Sequence, residues 1–189
     1  SSSVGSSATY TVTASDDPGD SLTCTATATD TDSGTDTGSA SATVINTNPV
    51  MGTVSVSSTT GQVGDTLTCS ASATDADGGS PTLTYAWTNG SSSIGSSSAY
   101  TLTSSDDPGD TLTCTATATD ADSGTDADYA SATVRNTDPL LGTVSVSPST
   151  GQVGDTLTCS ASATDVDGGS PTVTYAWTNG SSSVGTGST

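Results

Sequence analysis

Four cysteines and twenty aspartates carry the chemistry available to this chain. Cys24, Cys69, Cys114 and Cys159 recur at intervals of 45 residues. With no CxxC pair and no His, they lack the close ligand spacing of a zinc site and point to a disulfide framework made in an oxidising exterior. The alternative is that they are buried thiols acting as small apolar side chains. All 20 acidic residues are Asp, they face one basic residue, Arg135, and His, Lys, Glu and Phe are absent. General acid-base catalysis near neutral pH draws on His, or on Glu or Lys tuned by burial, so none of its usual agents is present. Ser nucleophiles would have no base, and the expectation is a protein that is not an enzyme. A formal charge of −19 without a basic patch argues against nucleic acid, and against direct contact with an anionic membrane.

The elements that position these groups must be built from an unusual composition. Ser and Thr number 36 and 41, joined by 21 Gly. Low hydrophobicity with high charge is also the signature of disorder, so the pattern has to decide. From Thr111 to Thr119 the chain reads Thr-Leu-Thr-Cys-Thr-Ala-Thr-Ala-Thr, with Leu, Cys and Ala on one face and Thr on the other. Period two predicts a half-buried strand, and β-branched Thr suits its solvent face.

The chain repeats at 90 residues. Ser1-Ser2-Ser3-Val4-Gly5 returns as Ser91-Ser92-Ser93-Ile94-Gly95 and as Ser181-Ser182-Ser183-Val184-Gly185, and the stretch Gly61 to Cys69 recurs unchanged at Gly151 to Cys159. A long identical period is a tandem array. A weaker half-period of 45 leaves Cys69 able to pair with Cys24 or Cys114. The segments Asn46-Thr47-Asn48-Pro49 and Asn136-Thr137-Asp138-Pro139 read as linkers, because Pro cannot donate to a ladder and Asn and Asp favour turns. They enclose Cys69 and Cys114. The frame is then the back half of a domain over residues 1–46, a complete domain over 47–136, and the front half of another over 137–189. The complete domain parses into a seven-strand pattern of which six strands are placed: A near Thr53 to Ser57, B from Thr66 to Thr74, C from Thr82 to Thr88, E around Tyr100 and Leu102, F from Thr111 to Thr119, and G from Ala130 to Arg135, with a Gly/Ser-rich crossing around Ile94 between C and E. Short alternating strands with turn signals about every ten residues argue for a β-sandwich.

Cys69, Trp87, Tyr100-Thr101-Leu102-Thr103, Asp106-Asp107-Pro108-Gly109-Asp110 and Cys114 resemble an immunoglobulin-like domain. The chain is similar to the tandem Ig-like, cadherin-like and PKD-like repeats of large secreted or surface-attached microbial proteins. That resemblance implies an all-β fold of tandem Ig-like sandwiches, with a Cys69–Cys114 bridge between sheets and Trp87 packed against it beside Tyr85 and Tyr100. Leu112 stands where such domains usually carry a tyrosine, two residues before the second Cys. Cys24 and Cys159, with Trp177 in the front half, would then pair with a neighbouring repeat, either along a continuous chain or between protomers. A bridge closing about 45 residues contributes on the order of 3 to 4 kcal/mol, which a core this poor in aromatic residues needs.

Every Asp is expected outside the strands, gathered at the joints between stacked domains. One joint would collect Asp65, Asp106, Asp107 and Asp110 with Asp138, Asp165 and Asp167. The preceding one would collect Asp16, Asp17 and Asp20 with Asp75, Asp77, Asp120, Asp122, Asp126 and Asp128. Two readings stay open: Ca²⁺ held by clustered carboxylates, as the cadherin plan implies, or turns capped by Asp on a soluble surface. Asn89-Gly90-Ser91 and Asn179-Gly180-Ser181 are both glycosylation sequons and tight-turn signals. No apolar run of membrane-spanning length is present, and an export signal or anchor is expected outside this segment. The expectation is an extracellular structural protein, a filament, stalk or sheath whose main partner is itself. The rival is a calcium-stiffened cell-surface adhesin with a surface or glycan partner.

Overall fold

In the computed structural model, which describes residues 5–188, every regular element is a β-strand. The chain opens with a hairpin of β1 (Ser21–Thr29) and β2 (Thr35–Thr43), paired from Ser21↔Thr43 to Thr29↔Thr35. Its residues are almost all exposed: Cys24 is exposed and Leu22 only half-buried, where the alternating pattern would require both to be covered.

The middle of the chain closes on itself. Strand β3 (Val50–Met51) pairs with β7 (Ala73–Thr74), and β4 (Ser55–Val56) pairs with β6 (Thr66–Ser70). The expected strand B is therefore broken in two, and the expected strand A is shortened to β4 and preceded by a separate strand, β3. The break sits where Gly52 donates its N–H to the Ser72 carbonyl, and a Cβ on Gly52 would crowd Ser72 at 2.6 Å from its Oγ and 3.1 Å from its carbonyl oxygen, so glycine eases the close approach of the two backbones. Strand β5 (Thr60–Gly61) leaves this layer and pairs in parallel with the far sheet. That sheet also holds β8 (Thr82–Asn89), β9 (Ser92–Gly95), β11 (Thr111–Thr119) and β12 (Thr125–Val134), in the order β5-β12-β11-β8-β9. The near sheet is β10 (Ala99–Thr101), β6 and β4. The Gly/Ser-rich crossing thus contains a strand, β9, set against β8 with a bulge at Trp87/Thr88. Ser and Gly have little strand preference of their own, and the hairpin turn at Asn89-Gly90 imposes the pairing.

The core lies between the two sheets. Leu67 and Cys69 of β6 face Trp87 of β8 and Leu112, Cys114 and Ala116 of β11, with Val54, Leu102, Ala132 and Val134 around them. Cys69 and Cys114 are bridged, joining one sheet to the other. Trp87 is fully buried, stacks at 6.0 Å from the Tyr100 ring and donates its Nε1–H to the Ser97 carbonyl, so its one polar atom is satisfied. Among the described residues Trp87 is the one large aromatic side chain in a buried core otherwise made of Leu, Val, Ala and the cystine.

The last stretch repeats only part of this arrangement. Strands β13 (Leu140–Leu141) and β16 (Ala163–Thr164) pair, as do β14 (Ser145–Ser147) and β15 (Thr158–Ser160), and β17 (Ala176–Asn179) and β18 (Ser182–Thr186). Each pairing has its counterpart 90 residues earlier, down to Val146↔Cys159 for Val56↔Cys69. Among the described residues no strand covers them, and β17 spans four residues where β8 spans eight.

Candidate functional site

The aspartates divide into three structural jobs. Asp106 is nearly inaccessible and accepts from the Tyr100 hydroxyl (2.8 Å), the Thr103 N–H (2.8 Å) and the Thr103 hydroxyl. Asp16 makes the same bonds to Tyr10 and Thr13. The Thr13 N–H, followed by the Tyr10 hydroxyl, holds the Asp16 carboxyl below its ordinary range, and the tyrosines are raised: Tyr10 by its bond to Asp16, Tyr100 by burial first and Asp106 second. This tyrosine, six residues before its aspartate, ties the loop that precedes β1 and β11. It is a fastening that the missing tyrosine at Leu112 does not supply.

A second set folds turns. Asp20 accepts from the Asp17 N–H, Asp110 from the Asp107 N–H and the Asn89 amide, and Asp65 from the Gln62 N–H. Asp120 Oδ1 takes the N–H groups of Asp122 and Gly124, and Asp75 takes that of Asp77. Asn89 and Asn179 each begin a two-residue turn whose glycine has positive φ, +55° at Gly90 and +59° at Gly180.

The third set grips the linkers. Asn46 donates its amide to Asp120 Oδ2 at 3.0 Å, Thr47 donates its N–H to Asp77, and Met51 donates its N–H to Asp126 at 2.7 Å. Ninety residues on, the Thr137 N–H goes to Asp167, whose own N–H goes to Asp165. Gly124 lies so close to the linker that a Cβ would meet Asn46 Nδ2 at 2.6 Å and Asn48 Oδ1 at 2.7 Å. The loops before β1 and β11 approach from the other side: a Cβ on Gly78 would lie 3.6 Å from the Ala14 carbonyl, and one on Gly168 3.7 Å from that of Ser104. Asp120 is held below the usual carboxylate range, first by the Asn46 amide and then by the N–H groups of its own turn. Three buried polar atoms near these linkers have no protein partner: Asn46 Oδ1, Thr137 Oγ1 and Asp167 Oδ1.

The structure thus brings Asp77, Asp120 and Asp126 to one linker and Asp167, backed by Asp165, to the next. Asp122 stays in its turn, and Asp16 and Asp106 point into their own loops. Among the described residues no three carboxylates converge closely enough to hold a metal ion. Asp36, Asp126 and Asp128 lie within strands, contrary to the expectation that every Asp would fall outside them. Their carboxylates accept from the following N–H groups of Thr37, Ala127 and Tyr129, which lets a poor strand former stay in the strand. Sequence reasoning treated Asn46 and Thr47 only as linker residues. Their role depends on partners 74 and 30 residues away, which no local pattern encodes.

The remaining chemistry is on the two uncovered ends. Cys24 is an exposed free thiol and Cys159 a half-buried one. Around Cys159 runs a groove of about 390 Å³ lined by Leu141, Val144, Ala163, Val173 and Tyr175. Trp177, Leu157 and Val184 line a second of about 210 Å³. No known protein-family model matches the chain, and no curated protein matches it in sequence.

Proposed function

We propose that the chain is a structural protein: 90-residue immunoglobulin-like sandwiches, disulfide-bonded and joined in tandem or head to tail, that build an extracellular filament, stalk or sheath. In this reading residues 47–136 are one whole sandwich, 1–46 the back half of one and 137–189 the front half of another. The observation that carries it is the pair of linker grips. Thr47 on Asp77 and Thr137 on Asp167 are one contact made twice at a spacing of 90 residues, which is how a rod adds a unit without changing direction.

The monotony of the copies supports structure over recognition, since no loop is elaborated in one copy and not in the other. The grips hold by direct hydrogen bonds from linker to carboxylate, which favours a charge-stiffened joint over the calcium-stiffened adhesin. Electron microscopy of chains carrying additional 90-residue copies should show a rod that lengthens by a constant increment per copy. Compact particles of constant width would overturn the reading. Thermal melting with calcium and with chelator should agree within about 2 °C, and a much larger gap would move the assignment to the adhesin.

A further inference from the structure

We infer that the uncovered front half of one copy, residues 140–188, is closed by the β1–β2 hairpin of a second copy, in the register that β11–β12 adopts on β8 and β5 within the chain. This rests on the sandwich reading above and names the partner of its open faces.

The template is internal. Strand β11 sits on β8 with Leu112↔Asn89, Cys114↔Trp87 and Thr119↔Thr82, and β12 runs parallel to β5 with Thr133↔Thr60. Strand β1 differs from β11 only in Ser21 for Thr111, and pairs with β2 as β11 pairs with β12. Moving the register by 90 residues sets Leu22 against Asn179, Cys24 against Trp177, Thr29 against Thr172 and Thr43 against Thr150.

Every face needed is present and bare. Cys114 and Ala116 are fully buried under the opposite sheet, whereas Cys24 and Ala26, identical in neighbours, are exposed. Trp87 is fully buried, whereas Trp177 is half-exposed although it already donates its Nε1–H to the Gly187 carbonyl. Val144 is 53% exposed where its counterpart Val54 is 7% exposed, and it lines the groove around Cys159. Polar partners wait too: Asn179 for Asp20, as Asn89 meets Asp110, and Gln152 for the Asn46 carbonyl, as Gln62 meets that of Asn136. The bare β17 edge and apolar wall gain a ladder, a buried tryptophan and a core in one step.

Docking brings Cys24 Sγ to Cys159 Sγ as Cys114 meets Cys69, whose Cα atoms are 6.4 Å apart. The two thiols lose their protons and pass two electrons to an oxidant, a small-molecule disulfide such as oxidised glutathione, which leaves as two thiols. Each copy offers one hairpin and one groove on different ends, so the contact is heterologous and propagates as an open chain.

The 189-residue polypeptide, incubated with oxidised glutathione, should run as a ladder on a non-reducing denaturing gel, with one disulfide peptide joining Cys24 to Cys159. Both thiols lie outside the closed core, so Cys24→Ser and Cys159→Ser keep the middle intact. Each variant alone should stay monomeric on the gel, and their mixture should give dimers and nothing longer. Monomers with two free thiols, an internal Cys24–Cys159 ring, or dimers of either variant alone would overturn the inference. A single chain carrying residues 1–180 twice before the last nine separates the two proposals. If it forms a rod while the 189-residue chain stays monomeric, exchange fails and the array stands. If it too is compact, the array fails.

Discussion

At the scale of single residues, the aspartates act through N–H and O–H donors, and each does so for a local reason. Asp106 is a buried carboxylate compensated by three donors, so removing it strands the Tyr100 hydroxyl and the Thr103 N–H. Asp106→Ala should cost about 2 to 3 kcal/mol by urea unfolding, and Tyr100→Phe about 1 kcal/mol. In the double variant the two losses should fall short of additive, because they remove one shared bond. The pH dependence of Asp120 follows from its depressed carboxyl. A group whose folded value lies below its unfolded value stabilises the fold above the ordinary carboxylate range, near 3.9, and loses that contribution as pH falls through the folded value. Carboxyl NMR should show Asp120 titrating below the ordinary carboxylate value, and Asn46→Ala should return it toward that value. An unshifted Asp120 would mean that the linker grip does not form in solution.

At the scale of elements, the alternating strands were readable and their interruptions were not. Strand β11 spans the expected Thr111 to Thr119, because a period of two with Leu and Cys inward has one way to face a core. Strand β12 begins at Thr125, five residues before the expected strand, since its aspartates are carried by pairing with β11 and by Met51. The break in B opposite Gly52 is a matter of two backbones touching, invisible in either segment alone. The Cys69–Cys114 disulfide ties the two sheets together through their core. Replacing Cys69 and Cys114 together with Ala should lower stability by about 4 kcal/mol, the chain-entropy value for a loop of 45 residues. Calorimetry would check it, and a loss below about 1 kcal/mol would show that the sheets hold without the bridge.

At the scale of the whole molecule, a charge of −19 opposes every contact between copies. The apolar grooves and hairpin faces must overcome that repulsion, and salt relieves it. Assembly followed by light scattering should therefore be faster at about 0.3 M than at about 0.01 M NaCl, where charges interact over roughly 30 Å. A rate independent of salt would place the controlling contacts away from the acidic joints.

What the sequence determined by itself was the strand, its inward and outward faces and the 90-residue spacing of the linkers, because alternation and repetition are local properties of the chain. The linkers Asn46 to Pro49 and Asn136 to Pro139 were legible as Pro- and Asn-rich breaks for the same reason. The Cys69–Cys114 bridge, expected from the linker frame and the resemblance, is present, whereas only the tertiary structure decided that Asp77, Asp120 and Asp126 grip a linker, and that β1 is bare where its near-twin β11 is buried. Burial is a property of what lies opposite. Two almost identical strands differ in it because the β10-β6-β4 sheet faces β11, and β1 has no facing sheet among the described residues.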